Sequence, residues 1–162
     1  MDLVEETPDD WWEVEALYDL CFAPGRELLS SYRLRDGVAP IPELCLLSRD
    51  AETQTLGGVI RCWPVRIGPA KAILLGPVAV HPTRQGEGLG AFLIWTVLDR
   101  ARDLGWRRVM LVGDAPYYSR FGFAKLPDVK MPPPTNPDRV LGVELFPEAW
   151  KGIKGHVRKA KD

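Results

Sequence analysis

The sequence predicts an α/β protein in which helices flank a mixed β-sheet. Three observations support this fold class. Near the N-terminus apolar residues recur at helical spacing, two strand-like runs are then joined by a polar turn, and further along a strand, a glycine turn, a helix and a second strand follow one another. The chain has 162 residues, a length that suits one domain over residues 1–162.

The N-terminal segment predicts a short strand followed by a helix. The strand lies near residues 3–5. Thr7 is a candidate N-cap, and Pro8 suits the first helical turn because its missing N–H costs nothing there. We expect the helix to run to about Phe22, before a proline and a glycine at residues 24–25 that end it. The predicted core face of this helix consists of Trp11, Val14, Leu17, Tyr18 and Cys21.

The next segment predicts a lid and three strands. Residues 25–44 are expected to form a short second helix and a surface loop, because prolines and glycine break regular structure there. Residues 44–48 and residues 56–67 read as two strands of a hairpin, with a polar turn between them. Residues 71–80, KAILLGPVAV, are apolar almost throughout, as expected for a strand covered on both faces.

A crossover unit follows. From Leu89 an amphipathic helix is predicted, and Gly105 stands where a helix C-terminus belongs. Residues 106–112 return as a buried strand, so the strands before and after the helix are expected to be parallel or nearly parallel neighbours. The predicted core positions of the helix are Phe92, Leu93, Val97, Ala101 and Leu104.

The chain after residue 112 predicts short elements. Asp114 can cap a short helix that begins near Pro116, and FGFAKL at residues 121–126 predicts a short strand. The proline-rich stretch that follows is expected to be a loop. Residues 140–146 predict the last strand, and the basic tail from residue 151 is expected to be solvated or frayed.

Composition and charge argue against several classes of protein. The chain has 21 Lys and Arg against 22 Asp and Glu, and this balance provides no basic surface for a nucleic-acid backbone. The acidic start does not resemble a signal peptide, and no apolar run is long enough to span a bilayer. The 3 cysteines and 2 histidines lack the spacing of disulfide frameworks or metal sites. We therefore expect a cytoplasmic protein without a metal, a nucleic-acid partner or a membrane partner. Its oligomeric state, monomer or homodimer, does not follow from these residues.

The stretch VHPTRQGEGLG, residues 80–90, ends one strand and leads into a helix. Gly86, Gly88 and Gly90 let a ligand approach backbone N–H groups at the helix N-terminus, where those groups lack partners and the helix dipole is positive. This arrangement is typical of an anion site, with pyrophosphate as the natural ligand. The dinucleotide motif G-x-G-x-x-G does not fit, and no G-K-S or G-K-T follows as in a P-loop. A purely structural turn is the alternative.

The same stretch contains Q/R-x-x-G-x-G/A, from Gln85 to Gly90, and so resembles the acetyl-CoA motif of the GNAT N-acetyltransferase superfamily. The resemblance covers roughly residues 73–126, and the chain is similar to a bacterial subgroup of predicted N-acetyltransferases. It implies an α/β (α+β) GNAT fold: a central mixed, mostly antiparallel sheet of about seven strands, with splayed fourth and fifth strands and flanking helices. Acetyl-CoA is then the co-substrate. The residues implied in binding it are Val78, Ala79, Val80, Arg84, Gln85, Gly86, Glu87, Gly88, Leu89 and Gly90.

Pro77 adds support to this resemblance. Proline lacks an N–H, so inside a strand-like run it indicates that pairing is interrupted. In the GNAT fold a bulge at this place opens a slot, and the resemblance implies that Val78 and Val80 face the pantetheine arm there. A bulge that merely shapes the sheet explains Pro77 alone, but not its spacing from the glycine turn.

Tyr118 is the candidate general acid. It lies four residues before Gly122 of a Gly-Phe pair, and many superfamily members have a tyrosine at this position near the CoA sulfur. A tyrosine hydroxyl can protonate a departing thiolate, whereas phenylalanine cannot. In one departure from the family pattern, many members carry an asparagine after the fifth strand, but here that segment is shorter and carries Asp114.

The resemblance implies that a primary amine attacks the thioester directly. The sequence does not choose a general base among water and the candidates Glu27, Glu43, Glu144 and His81. A ping-pong route through Cys62 ranks lower, because no histidine lies near that residue in sequence. A catalytically silent acyl-CoA sensor and a nucleotide-binding module are the other functions that we consider.

Arginines and a tryptophan mark the predicted acceptor side. By resemblance, the N-terminal helices and the third strand recognise the acceptor. Arg61 and Trp63 alternate onto one face of that strand and are candidates to clamp a carboxylate or phosphate of a small-molecule amine, since arginine offers a planar fork. Solvated arginines around a core tryptophan are the alternative. The full set in these regions is Arg26, Arg33, Arg35, Arg61, Trp63 and Arg66.

Overall fold

A computed structural model describes residues 1–22, 26 and 30–160 of the chain. Four α-helices are present among these residues: α1 (Trp11–Cys21), α2 (Ser30–Arg33), α3 (Leu89–Asp103) and α4 (Ala115–Tyr118). The strands are β1 (Asp2–Glu5), β2 (Leu46–Arg49), β3 (Leu56–Ile67), β4 (Ala70–Val80), β5 (Arg108–Val112), β6 (Ala124–Lys125), β7 (Val129–Lys130), β8 (Val140–Glu144) and β9 (Gly155–Lys159).

The described strands form one mixed sheet with the order β1-β2-β3-β4-β5-β8-β6. Neighbours in this order are antiparallel, except that β4 and β5 run parallel on either side of the α3 crossover. The predicted α/β class and the crossover unit are confirmed. The parallel pair matters most for function, since ligands of such sheets bind where neighbouring strands separate.

Helices cover both faces of the sheet. On one face α3 packs against β3 and β4, with Leu93, Val97 and Ala101 fully buried at helical spacing. On the other face α1 packs against β4 through Val14 and Tyr18. No helix in the described part of the chain combines the length and the apolarity that a bilayer span requires.

Three residues predicted for helix core faces are exposed instead. Trp11 lies in the first turn of α1 with 61% of its surface exposed. Phe92 and Leu104 are each 49% exposed. Successive helical residues differ by about 100° in direction, so Phe92 points away from the buried stripe that Leu93 occupies. Leu104 stands at the C-cap of α3, where the helix no longer faces the sheet.

The C-terminal tail is ordered, which corrects the expectation of a frayed end. Residues 155–159 form β9, which pairs antiparallel with β3 over residues 65–67 and parallel with β7. The reason is that β3 extends beyond its partner β2, and its uncovered edge needs a hydrogen-bonding neighbour. Val157 of β9 is 4% exposed and joins the core beside Val65. With β7 and β9 the sheet has nine strands, more than the expected seven.

Candidate active site

A bulge interrupts β4 at Pro77. Gly76 and Pro77 together stand opposite Arg61 of β3, whereas the flanking residues pair one to one. Proline suits this place because it has no N–H to give to the ladder. The Tyr18 hydroxyl of α1 donates a hydrogen bond of 2.7 Å to the Pro77 carbonyl and so ties the bulge to the neighbouring helix. The interruption that Pro77 predicted is therefore present and is supported from α1.

Beyond the bulge, β4 and β5 separate. They pair in parallel at residues 73–74 of β4 and 109–110 of β5, and within the described residues no further rungs join them. Each strand nevertheless continues, β4 to Val80 and β5 to Val112. The edge of β4 that faces β5 is thus left without a strand partner, and its backbone groups are available to a ligand.

A cavity of about 500 Å³ lies where the two strands separate. Its walls come from β4, from the end of β5, from α4 and from the segment around α2. Its lining residues are Phe22, Arg26, Ser31, Tyr32, Leu74, Leu75, Gly76, Pro77, Val78, Leu111, Val112, Gly113, Asp114, Tyr117, Tyr118 and Arg139. Most of these groups are apolar or aromatic, which suits the carbon-rich part of a ligand.

Tyr118 enters this cavity from α4. The Asp114 carboxylate caps the helix by accepting a hydrogen bond from the Tyr117 N–H at 3.3 Å, as the sequence predicted. The Tyr118 ring lies on Gly113, where an added Cβ would stand 2.5 Å from a ring carbon. Sequence reasoning did not single out Gly113, although a glycine directly after a buried strand was the available signal. Because Gly113 has no side chain, the Tyr118 ring can lie directly on it.

The state of the Tyr118 hydroxyl suits a proton donor. Burial raises the pKa of Tyr118 to about 12, so its O–H stays protonated at neutral pH. Among the described residues no group hydrogen-bonds this hydroxyl, and its proton is free for a ligand in the cavity. Tyr117 lies beside it with the two rings nearly perpendicular. The Tyr117 hydroxyl points elsewhere, to within 3.7 Å of where a Cβ of Gly90 would be.

The glycine turn forms the other end of the site. Gly86 and Gly88 have φ of +89° and +77°, a backbone conformation that favours glycine, and no protein atom occupies the space where a Cβ would point. Gly88 is the N-cap of α3, whose first N–H groups have no intrahelical acceptor. The turn is solvent-exposed from Gln85 to Gly88. It therefore presents free N–H donors to an anion.

The other residues predicted to bind the cofactor take up different positions. Val78 faces the cavity, and Val80 lies beside Gly90, whereas Ala79 points to the opposite face and packs in the cluster around α1. Leu89 is buried, so only its backbone is available to a ligand. Arg84 donates a 2.5 Å hydrogen bond to Asp50 and holds the turn against the β2–β3 hairpin.

Two glycine substitutions at the turn should distinguish the cost of an unfavourable backbone φ from the cost of fitting an added Cβ. We expect Gly88→Ala to lower the free energy of unfolding by about 1 kcal/mol, because alanine disfavours positive φ. Gly90→Ala is the matched control, since Gly90 lies within α3 without positive φ and its Cβ would meet Val80 and Tyr117 at ordinary contact distances. It should leave stability unchanged or raise it by up to about 1 kcal/mol. Chemical denaturation measures both, and equal effects would contradict this explanation.

A second hollow of about 660 Å³ adjoins the cavity, and Arg26 and Tyr32 line both. Its basic members are Arg26, Arg33, Arg35 and Arg61, and its acidic members are Glu15 and Asp36. Trp63 also lies there, as the alternation along β3 predicted. Residues of α1, α2 and β3 thus meet beside the cavity, in the region that the resemblance predicted for the acceptor.

Arg61 is occupied by protein carboxylates. Its Nε and Nη2 donate to the two oxygens of Glu6 at 2.9 and 2.7 Å, and its Nη1 donates to Glu15 at 2.6 Å. Burial alone would raise the pKa of Glu15, but hydrogen bonds from Arg26 and Arg61 outweigh it and lower this pKa. The Arg61 N–H groups that we predicted would bind a substrate anion are therefore hydrogen-bonded to carboxylates of the protein itself.

None of the candidate bases within the described residues lines the cavity. Glu43 and Glu144 are exposed away from it, and the His81 imidazole is engaged by Thr83 in the turn before α3. Glu27 lies outside the described residues, as do the predicted helix-ending residues 24–25. Cys62 is fully buried and burial raises the pKa of its thiol well above the ordinary value, so it does not suit a ping-pong nucleophile.

Among the described residues no group of three or more His, Cys, Asp or Glu side chains could hold a metal ion. The site instead consists of an apolar cavity, a tyrosine hydroxyl and a glycine turn. The cavity and the Tyr118 hydroxyl lie where β4 and β5 separate, and the glycine turn follows the end of β4.

Comparison with known proteins identifies related sequences. A family model described as the acetyltransferase (GNAT) family matches residues 11–123, a range that includes the bulge, the glycine turn and Tyr118. The uncharacterized N-acetyltransferase YhbS of Escherichia coli strain K12 is 33% identical over 121 residues. This alignment covers 73% of the present chain and 70% of YhbS.

Solved structures show the same fold. The crystal structure of YhbS from Escherichia coli, a GNAT family N-acetyltransferase in complex with CoA, is similar with a TM-score of 0.83 and 26% identity, over 99% of this chain and 89% of that chain. A GNAT family acetyltransferase from Brucella melitensis in complex with acetyl-CoA gives a TM-score of 0.72 and 28% identity, over 99% of this chain and 96% of that one.

Proposed function

Because this chain belongs to the acetyltransferase (GNAT) family, we propose that it transfers the acetyl group of acetyl-CoA to a primary amine of a small molecule. The observation that carries the proposal is the position of Tyr118 in the cavity between the separated strands β4 and β5, where its hydroxyl has no hydrogen-bond partner among the described residues. The glycine turn, with its free N–H groups, follows β4, and its Gly90 lies near Tyr117 of the cavity. The acceptor hollow adjoins the cavity through Arg26 and Tyr32.

The chain's own groups fit acetyl-CoA as co-substrate. Backbone N–H groups from Gln85 to Gly90 would hold the pyrophosphate, since the turn is exposed and its glycines leave open space. The unpaired edge of β4 beyond the bulge would hydrogen-bond the pantetheine arm as a neighbouring strand does, with Val78 and Val80 beside it. Two similar structures were crystallised with CoA and with acetyl-CoA, which supports this assignment.

In the proposed mechanism the acceptor nitrogen attacks the thioester carbonyl carbon directly. A C–N bond forms, and the C–S bond then breaks with its electron pair going to sulfur. Tyr118 donates its proton to this sulfur, so that CoA leaves as the thiol, and the Tyr118 oxygen takes a proton back from water before the next turnover. Backbone N–H groups on the free edge of β4 stabilise the negative charge on the carbonyl oxygen. This route uses no covalent enzyme intermediate, in keeping with the buried and protonated Cys62.

The amine proton leaves through water in this proposal. Asp114 is the only carboxylate among the described lining residues of the cavity, and it caps α4. Glu15 in the adjoining hollow is paired with two arginines. A water molecule that enters from the open acceptor side can instead take the proton.

A cytoplasmic location and a monomeric or homodimeric state stay predictions from the sequence.

A panel of small primary amines with acetyl-CoA tests this function. We expect thiol release that depends on both substrates, together with products whose mass is increased by one acetyl group. The matched tertiary amines serve as controls, because they cannot form a stable amide. Binding of acetyl-CoA without acetylation of any amine would contradict the proposal and indicate a silent acyl-CoA sensor. A melting temperature that ATP or NAD raises more than acetyl-CoA does would indicate a nucleotide-binding module.

A further inference from the structure

Arg35 is a buried arginine without an acidic partner. Only 9% of its surface is exposed, and its Nη2 has no hydrogen-bond partner. No ion pair within the described residues includes it, unlike Arg26 and Arg61 in the same hollow. An unpaired buried charge is costly, so a protein that keeps one has a use for it.

Aromatic rings hold the Arg35 guanidinium in place. Its Cζ lies 3.4 Å from the centroid of the Tyr32 ring and 5.3 Å from that of Trp63. Such cation–π contacts offset part of the cost of burial and orient the planar group. They leave its Nη2 without a hydrogen-bond partner.

Trp63 contributes a second free donor. Its indole Nε1 is buried and has no hydrogen-bond partner. Both Trp63 and Arg35 line the hollow beside the cavity, so two unsatisfied donors lie near each other on the acceptor side. Buried donors are normally satisfied, and two such exceptions on one hollow point to an absent acceptor.

The charge around this pair also favours an anion. Of the arginines that line the hollow, Arg26 and Arg61 pair with acidic side chains, whereas no ion pair within the described residues includes Arg33 or Arg35. Burial lowers the pKa of Arg35 to about 10, as expected for a cation that lacks a partner. An anionic group in the hollow would restore the lost stabilisation of that charge.

We propose that Arg35 and Trp63 bind an oxyanion, a carboxylate or a phosphate, carried by the acceptor amine. The inference rests on the proposed acetyl transfer and specifies its substrate class. Trp63 keeps the role that the sequence suggested, whereas Arg35 takes the role that we first gave to Arg61. Because Arg26 and Tyr32 line both the hollow and the cavity, an acceptor held here by its anion can extend its amine toward Tyr118.

Pairs of amines that differ only in the anion test the substrate class. Glycine, β-alanine and γ-aminobutyrate are compared with their amides, and O-phosphoethanolamine with ethanolamine. We expect kcat/KM to be about 10- to 100-fold higher for the best anionic member than for its neutral partner, which is the range for hydrogen bonds to charged groups. The two series distinguish a carboxylate from a phosphate. Equal kcat/KM for charged and neutral partners would overturn the proposal.

Variants of Arg35 and Trp63 test whether these two residues cause the preference for anionic amines. Arg35→Met keeps an unbranched side chain but removes the guanidinium, and we expect it to remove the preference for the anion while the affinity for acetyl-CoA stays within about twofold. Trp63→Phe keeps an aromatic ring at this position but removes the indole N–H, and it should lower the preference by about 2- to 10-fold. Arg107→Met is the control for net charge, because Arg107 is exposed and lies outside this hollow. An unchanged preference in Arg35→Met would overturn the proposal.

A binding experiment separates this inference from the proposed function. Calorimetry in the presence of CoA compares the N-acetylated acids with the N-acetylated amides, so it does not depend on turnover or on folding of a variant. Tighter binding of the acids to the wild-type protein supports the anion site even where no amine is acetylated, in which case only the transferase proposal fails. Equal binding of acids and amides overturns the anion site even where amines are acetylated.

Discussion

Replacement of Tyr118 with phenylalanine is expected to lower kcat by about 10²- to 10⁴-fold, the usual contribution of general acid catalysis. Phenylalanine keeps the ring that lies on Gly113 and removes only the hydroxyl. The affinity for acetyl-CoA should therefore change little, because the glycine turn and the edge of β4 are unaffected. Steady-state kinetics and calorimetry measure the two quantities on the same preparations. A variant that retains more than about a third of wild-type kcat would contradict the role of Tyr118 as the acid.

Tyr117→Phe is the matched comparison for this experiment. It removes a hydroxyl from the same helix, but one that points toward Gly90 at the glycine turn. We expect its main effect on KM for acetyl-CoA and a smaller effect on kcat than that of Tyr118→Phe. The reverse order of the two kcat effects would transfer the role of acid to Tyr117.

The pH dependence of kcat provides an independent check on Tyr118. Burial raises the pKa of Tyr118 to about 12. The protonated form is the active one, and it predominates below this pKa, so the hydroxyl keeps its proton from about pH 7 to about pH 10. Wild-type kcat should not fall within this range through ionisation of Tyr118. An alkaline decline near pH 9 that is absent from the residual activity of Tyr118→Phe would contradict the raised pKa.

Replacement of Arg61 with methionine is expected to lower the free energy of unfolding by about 3 kcal/mol. Arg61 is 9% exposed and forms three hydrogen bonds with the carboxylates of Glu6 and Glu15. Methionine fills similar space but leaves these acids without their shared cation. Removal of one partner of a buried ion pair is costly for this reason. Chemical denaturation measures the change.

Lys151→Met is the control for Arg61→Met. Lys151 pairs with Glu148 on the surface, with both side chains largely exposed, so the loss of this pair should cost less than about 0.5 kcal/mol. Similar stability losses in the two variants would contradict a special role for the Arg61 network. Unchanged stability of Arg61→Met, combined with a loss of turnover, would return Arg61 to the substrate-binding role that the sequence suggested.

Local patterns in the sequence predicted the elements that form the cofactor side. The strand over residues 56–67 is β3 with the same bounds, and the helix from Leu89 ends as Gly105 indicated. These predictions succeeded because hydrophobic periodicity and turn chemistry act over a few neighbouring residues. The interruption at Pro77 was predictable for the same reason, since the missing N–H of proline is a property of one residue.

Contacts between distant parts of the chain were beyond such patterns. The ion pairs of Arg61 join β3 to residues 6 and 15, and nothing in the local sequence tells Arg61 from Arg35. The tail beyond residue 151 is basic and looks like a solvated end, yet the free edge of β3 recruits it as β9. The fold decides which arginine is paired and which is left free, so the acceptor side could be identified as a region but not residue by residue.

The central claim is that the gap between β4 and β5 holds acetyl-CoA with its sulfur at Tyr118. The most direct test is a crystal structure of this protein with CoA. We predict pyrophosphate oxygens on the N–H groups between Gln85 and Gly90, the pantetheine arm along β4 beyond the bulge, and the thiol within hydrogen-bonding distance of the Tyr118 hydroxyl. A complex in which CoA lies outside this gap, or in which its sulfur is remote from Tyr118, would contradict the claim.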